Sequence, residues 1–262
     1  MIQGAVVNAV DYGLTQNSPT TVSNASTVAN RAALLAAIAA LDNGGDTPLG
    51  GTVFIPAGDY YIDPEIEITK RSVIIQGNGG GYGYVPSDTT ATRLHFTSGL
   101  VGDEMGFNLQ GIPGTGTNCD FSGLQNLYID CQSVLPYGVI VGGAKIFDQV
   151  TISYSVFAGI KLTNYINSTV ITRCSFSNNN THGAIMEFVS VNGNTKCSIS
   201  DTSFLRNGGN GLIINNAVGM EVNNCTIESN LLVGLLITKP TGGSLYNLAF
   251  NVIWILHSRC RL

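Results

Sequence analysis

The chain has 262 residues, a net charge of −5 and only 11% charged side chains beside 44% hydrophobic ones, so it is too apolar to be disordered. It contains no Lys/Arg run, which excludes a nucleic-acid or anionic-membrane footprint, and no apolar stretch approaching the ~18 residues that span a bilayer. Its 32 glycines and frequent asparagines instead fit an elongated fold whose backbone bends often.

Residues 1–49 read as an N-terminal cap. The opening MIQGAVVNAVDYG lacks the basic and apolar regions of a secretory signal. VANRAALLAAIAAL predicts a helix over 28–41, with Leu34, Leu35, Ile38 and Leu41 on one face, Ser26 or Thr27 as its N-cap, and DNGGD as its stop. Residues 50–123 hold strand-like runs, GGTVFIPAGDYYI, EIEITKRSVIIQG and ATRLHF, and then a Gly-rich loop over 97–121. GNGGGYG precedes no helix and no G-K-[ST] occurs, so a phosphate loop is rejected.

From 124 to 251 the sequence repeats about every 23 residues. With Leu127, Val150, Cys174, Thr202, Cys225 and Leu248 as position zero, the residues two on are Ile129, Ile152, Phe176, Phe204, Ile227 and Phe250. Those three back are Leu124, Phe147, Ile171, Ile199, Val222 and Leu245. Five on stand Gln132, Ser155, Asn179, Asn207 and Asn230, and a turn glycine follows at 138, 159, 183, 211 and 234 before alternating apolar pairs. Each unit is three short strands with too little apolar surface to bury alone, and stacking them buries it as like-on-like columns. This predicts an all-β, single-domain right-handed parallel β-helix, with asparagines bonding from one coil to the next at a bend. Cys174 and Cys225 fall in an inward column and read as small apolar residues, and no cysteine spacing calls for a metal. The last unit loses its turn glycine and runs into VIWILHSRCRL, so residues 252–262 are expected to be an irregular, truncated end.

GGTVFIPAGDYYI, preceded by NAVDYG and an Ala-rich helix and followed by RSVIIQGNGGGYG and TRLHF, resembles the N-terminal signature of the pectate-lyase superfamily. The similar branch is the rhamnogalacturonase/epimerase-like group, which includes phage tailspikes. The resemblance implies a pectin-lyase-like solenoid capped by the helix, and a protein that cleaves or binds an acidic or complex polysaccharide along a groove. It also implies an extracellular or virion-associated setting and, as in tailspikes, a homotrimer. The chain departs from the polygalacturonase pattern, lacking its Asn-x-Asp, Asp-Asp and Arg-x-Lys, and from the calcium pectate lyases, lacking Arg-x-Pro-x-x-Arg. His182, in THG, reads as a turn residue.

If the apolar columns face inward, the intervening ones face out. One reads Tyr128, Thr151, Ser175, Ser203, Thr226 and another Asp130, Ser153, Ser177, Leu205, Glu228, with Asp148, Arg173 and Asp201 just before the strand. Thr/Ser suit exposed strands in any case, but hydroxyls such as Thr151 also match sugar hydroxyls, and Tyr128 suits stacking on a pyranose. Glycoside hydrolysis needs two carboxyls. Asp130 and Asp148 are the first pair, and Asp201 is the alternative, with an ion pair to Arg173 as its plainer reading. A lyase needs a base and cations beside a uronate, for which Lys161, Arg173 and Arg206 are candidates. Asp103 and Glu104, in the loop, suit either scheme. The expected function is cleavage of a polysaccharide by hydrolysis or elimination, without cofactor or metal. The alternative is a non-catalytic, carbohydrate-binding or tailspike-type solenoid.

Overall fold

The computed structural model describes residues 4–41, 50–79, 90–97, 105–110, 120–163, 168–187, 197–215, 219–238, 249–256 and 259–261. It is a parallel β-helix of one thirteen-stranded and one eight-stranded sheet, every pairing parallel. The column assignments from Leu124 to Ile227 hold. Phe147 pairs with Leu124 and Ile171, and Ile152 with Ile129 and Phe176. All of these are fully buried, as are Cys174 and Cys225. Burial pushes the Cys174 thiol up to about 12 and Cys225 to about 11, so neither is a ready nucleophile.

Backbone corners in the left-handed region close each coil. Just before position zero, Asn126, Gln149, Arg173, Asp201 and Asn224 have φ of 54, 54, 52, 51 and 48°. Beyond the strand, Tyr154, Asn178, Arg206 and Ser229 have φ of 61, 55, 53 and 55°. Asn and Asp tolerate this region best. Arg173 and Arg206 are held there by backbone bonds to the next coil, their N–H groups donating to Ser200 O at 3.1 Å and Glu228 O at 3.0 Å.

The asparagine column bonds as its chemistry requires. Asn179 Oδ1 accepts from Ser155 N at 3.0 Å, Asn207 Oδ1 from Asn179 N at 3.1 Å, and Asn230 Oδ1 from Asn207 N at 3.1 Å. The Nδ2 groups of Asn179 and Asn207 donate to the next amide, at 3.0 and 2.8 Å. In the first coil the slot belongs to Cys131, which is buried, whereas Gln132 is exposed with a φ of 48°.

The glycines that follow have a different reason from the one the sequence offers. Gly138, Gly159 and Gly183 lie in strands rather than turns, and an added Cβ on each would stand 2.7, 2.9 and 2.5 Å from the carbonyl oxygen of the next coil's glycine. The coils pinch there, and only hydrogen fits.

Two further corrections concern the ends. The helix spans Asn24–Ala40, beginning earlier than expected because Ser23, not Ser26 or Thr27, is its N-cap. Ser26 instead completes a reciprocal capping box with Ser23. Thr27 is buried, as are Leu34, Ile38 and Leu41, which close the end of the core. Asn30 ties the helix to the first coils, accepting from Thr15 N at 2.9 Å and donating to Tyr61 O at 3.0 Å. The end expected to be irregular continues the solenoid: Ala249–Leu256 pairs with Met220–Glu228, and Arg259–Arg261 with Val233–Thr238. Phe250 pairs with Val222, Ile253 with Cys225 and Ile255 with Ile227, so the last coil is set five residues later than Leu245, Leu248 and Phe250 imply. Leu245 and Leu248 themselves lie outside the described residues.

The ladder yields a stability test. Asn207→Ala strips acceptors from Asn179 N and Nδ2 in a fully buried setting, and is expected to cost about 3 kcal/mol in chemical denaturation. Asn180→Ala, at an exposed neighbour, is expected to stay within about 0.5 kcal/mol.

Candidate active site

The outward columns extend two coils further toward the N-terminus than the repeat shows. Asp59 pairs with Arg93, and Arg93 with Tyr128; Tyr61 pairs with His95, and His95 with Asp130. Strand alternation puts these six on the outer face, because Tyr60, Ile62, Leu94, Phe96 and Ile129 between them fill the core.

Five of them make one network. His95 Nδ1 lies 3.0 Å from Asp130 Oδ2 and its Nε2 lies 2.8 Å from Asp59 Oδ1. Arg93 donates to the other Asp59 oxygen at 2.5 Å. The Tyr61 ring stacks on His95, with centroids 4.6 Å apart and planes at 16°. Asp59 is the most open member, its side chain 35% exposed, against 18% for Asp130 and 12% for Arg93 and His95.

With a carboxylate at each ring nitrogen, the doubly protonated ring satisfies both. Burial alone would lower the His95 pKa, but the hydrogen bonds and negative charges of Asp130 and Asp59 outweigh it and the value rises above 6.5. The Tyr61 hydroxyl is pushed up, by burial and then by those two carboxylates, and stays a neutral phenol. Among the described residues no set of three His, Cys, Asp or Glu side chains is placed to hold a metal ion.

Of the residues the sequence singled out, only Asp130 belongs to this network, with Tyr128 beside Arg93. Asp148 does not join Asp130. It pairs in register with Gln125 and Thr172, five positions back along the strand from Ser153, the partner of Asp130. The left-handed corner at Gln149 lies between the two positions. Asp148 is engaged by Arg173, whose Nε donates to it at 2.9 Å, while Asp201 accepts from Asn224 Nδ2 at 2.6 Å. The surface ion pair expected of Asp201 therefore belongs to Asp148. Lys161 lies in the other sheet, 3.1 Å from Glu187 and over the Tyr137 ring, and Arg206 is exposed at a corner. His182, read from the sequence as a turn residue, instead begins the strand His182–Glu187 and pairs with Ala158, and its Nδ1 accepts from Asn210 N at 3.1 Å. Asp103 and Glu104 lie outside the described residues.

The hydroxyl stripe is also less open than expected. Tyr128, Thr151, Ser175 and Ser203 are 7, 5, 7 and 2% exposed, and Thr151 Oγ1 has no hydrogen-bond partner among the described residues.

Asp59, Tyr61, Arg93 and His95 escaped the sequence reading because they sit inside GDYY and TRLH, strings read as structural. Their signal was the alternation Asp59-x-Tyr61 and Arg93-x-His95, a strand's outward positions, but the long insertion between the two strings hid the register.

A parallel β-helix with a half-buried ionic network on the outer face of its first coils defines a pectin-lyase-like solenoid. The rhamnogalacturonase A/epimerase, pectate lyase-like family model matches residues 6–251, and the chain belongs to that family. No curated protein matches it. Among solved structures it is similar to the tailspike gp49 of Acinetobacter baumannii bacteriophage Fri1, a capsular polysaccharide depolymerase, at 13% identity and a TM-score of 0.54, over 98% of this chain and 42% of that one. ORF18 of Geobacillus virus E2 aligns at 14% identity and a TM-score of 0.48, over 95% of this chain and 60% of that one. The A-module of the Azotobacter vinelandii mannuronan C-5 epimerase AlgE4 aligns at 14% identity and 0.42, over 98% of both. The chain thus spans less than two thirds of each of the two phage proteins.

The network makes stability depend on pH. Because the folded His95 value is raised, its contribution is complete below about 6.5, the ordinary value, and is lost as pH rises through the folded one. Thermal unfolding is expected at lower temperature at about pH 9 than at about pH 6, and His95→Gln is expected to flatten that difference. An equal pH dependence in the variant would assign it elsewhere.

Proposed function

We propose that the protein cleaves glycosidic bonds of a polysaccharide by hydrolysis at Asp59, His95 and Asp130. The observation that carries this is the histidine held between two carboxylates on the outer face, with the most exposed carboxylate at its rim. The acid and base this requires are already in contact, His95 Nε2 lying 2.8 Å from Asp59 Oδ1. Membership of the family, and a fold shared with a depolymerase, support a polysaccharide as the ligand.

Asp130 fixes the charged ring. When a sugar chain displaces Asp59 from Nε2, that N–H donates its proton to the leaving glycosidic oxygen as the C–O bond breaks. Asp59, turned toward water, takes a proton as the water oxygen bonds to the anomeric carbon. On return to His95, Asp59 gives that proton back across their hydrogen bond, and the site is restored. Arg93 holds Asp59 in place through its other oxygen, and Tyr61 covers the ring. One observation favours binding without cleavage instead: both ring nitrogens are already engaged within the protein.

The test is incubation with pectins, alginate and bacterial capsular polysaccharides, following reducing ends and ultraviolet absorbance. Reducing ends without new absorbance are expected, falling at least 100-fold in Asp59→Asn, His95→Gln and Asp130→Asn. New absorbance would make the reaction an elimination. No products with retained binding would leave a carbohydrate-binding solenoid, and a comparable loss in Asp148→Asn would move the chemistry to the pair read from the sequence.

A further inference from the structure

The face next to the site carries a second outward column that none of this chemistry uses. In register it runs Phe54, Gln76, Gln125, Asp148, Thr172, Ser200. It alternates with Val53, Ile75, Leu124 and Phe147 of the core, so it points outward, and unlike the hydroxyl stripe every member is half-buried rather than covered.

Its amides differ from those of the inner ladder. Asn179, Asn207 and Asn230 stand one above another and bond at each step. Gln76 and Gln125 stand in the same relation on adjacent coils, yet among the described residues their side chains bond neither to each other nor to any other group, and the same holds for Gln149 at the neighbouring corner. Further along, the capacity is consumed internally: Arg173 engages Asp148, and Ser200 Oγ donates to Thr172 Oγ1 at 3.1 Å. Among the described residues, open amides on this stretch are therefore those of Gln76, Gln125, Asn126 and Gln149, with the partly exposed Phe54 ring at one end.

We propose that this column is a second carbohydrate-binding track, taking an uncharged pyranose segment. Each unpaired amide offers one acceptor and two donors, which match vicinal sugar hydroxyls. The coils repeat at about 4.8 Å, so the amides present the same groups at even steps along the axis, as a linear glycan does. Phe54 supplies an apolar surface for a sugar ring. No free charge lies on this stretch, since Asp148 is neutralised by Arg173, and a uronate gains nothing there. The inference rests on a polysaccharide being the ligand, but not on cleavage at His95.

The experiment is affinity electrophoresis of the full chain through gels containing barley β-glucan, galactomannan, dextran, pectin or alginate. Retardation is expected in at least one uncharged gel, with affinity falling at least tenfold in Gln76→Ala/Gln125→Ala. Phe54→Ala is expected to weaken it as well, and the glutamine pair, lying outside the core, keeps the test valid if that variant fails to fold. Unchanged retardation in the glutamine pair, retardation only by pectin or alginate, or none in any gel, overturns the track. Asp130→Asn is expected to retain the retardation, so loss of cleavage there with binding intact separates this site from the first.

Discussion

No coil of this protein can bury its own apolar side chains; each does so only against the coils on either side. That one constraint, parallel stacking in register, sets nearly everything else. It demands that Leu124, Phe147, Ile171, Ile199 and Val222 lie over one another, and that corners recur at the same positions. Polar groups trapped at those corners must then bond along the axis, as Asn179, Asn207 and Asn230 do. It also explains the glycines at 138, 159 and 183, where backbones approach too closely for a Cβ. Charge is scarce for the same reason. A stacked interior has no place for it, and Lys145, the buried exception among the described residues, donates to Ala144 O and lies 4.0 Å from Asp120.

The inward half of this design was legible in the sequence because stacking forces like residues to recur. The register from Leu124 to Ile227 could be read without coordinates for that reason. Two failures have specific causes. Apolar residues three back, at zero and two on fit Leu245, Leu248 and Phe250, and they fit Phe250, Ile253 and Ile255 equally well. The pattern is degenerate under a five-residue shift, and only strand pairing resolves it. The first corner slot was assigned to Gln132 by counting, whereas the chain places Cys131 there and turns Gln132 outward.

The outward half was far less legible, and the reason is physical. Outward positions answer to no repeating partner, so nothing in the period marks them. Asp130 and Asp148 look adjacent on a linear count, but the corner at Gln149 separates their two faces. Asp59 and Asp130 look remote, yet two coil steps and one histidine join them. Distance along this chain and distance across its surface are nearly unrelated wherever an insertion falls between coils.

The same stacking decides what the network can do. Three strands from the first coils each contribute to it: Asp59 from one, Arg93 and His95 from the next, Asp130 from the third. Its members are therefore fixed by backbone pairing rather than by loop conformation, and the network is preorganised. Two negative and two positive groups cancel, so a half-buried cluster persists without a net charge to solvate. Cancellation also makes the network silent until something breaks into it. Of its bonds, the one between His95 and Asp59 lies toward solvent, because Asp59 is the most exposed partner. In the proposed reaction, a ligand that separates those two frees an acid on one side and a base on the other at the same moment. On that proposal the network's reactivity is switched by occupancy, since the His95–Asp59 bond holds acid and base together until something parts them.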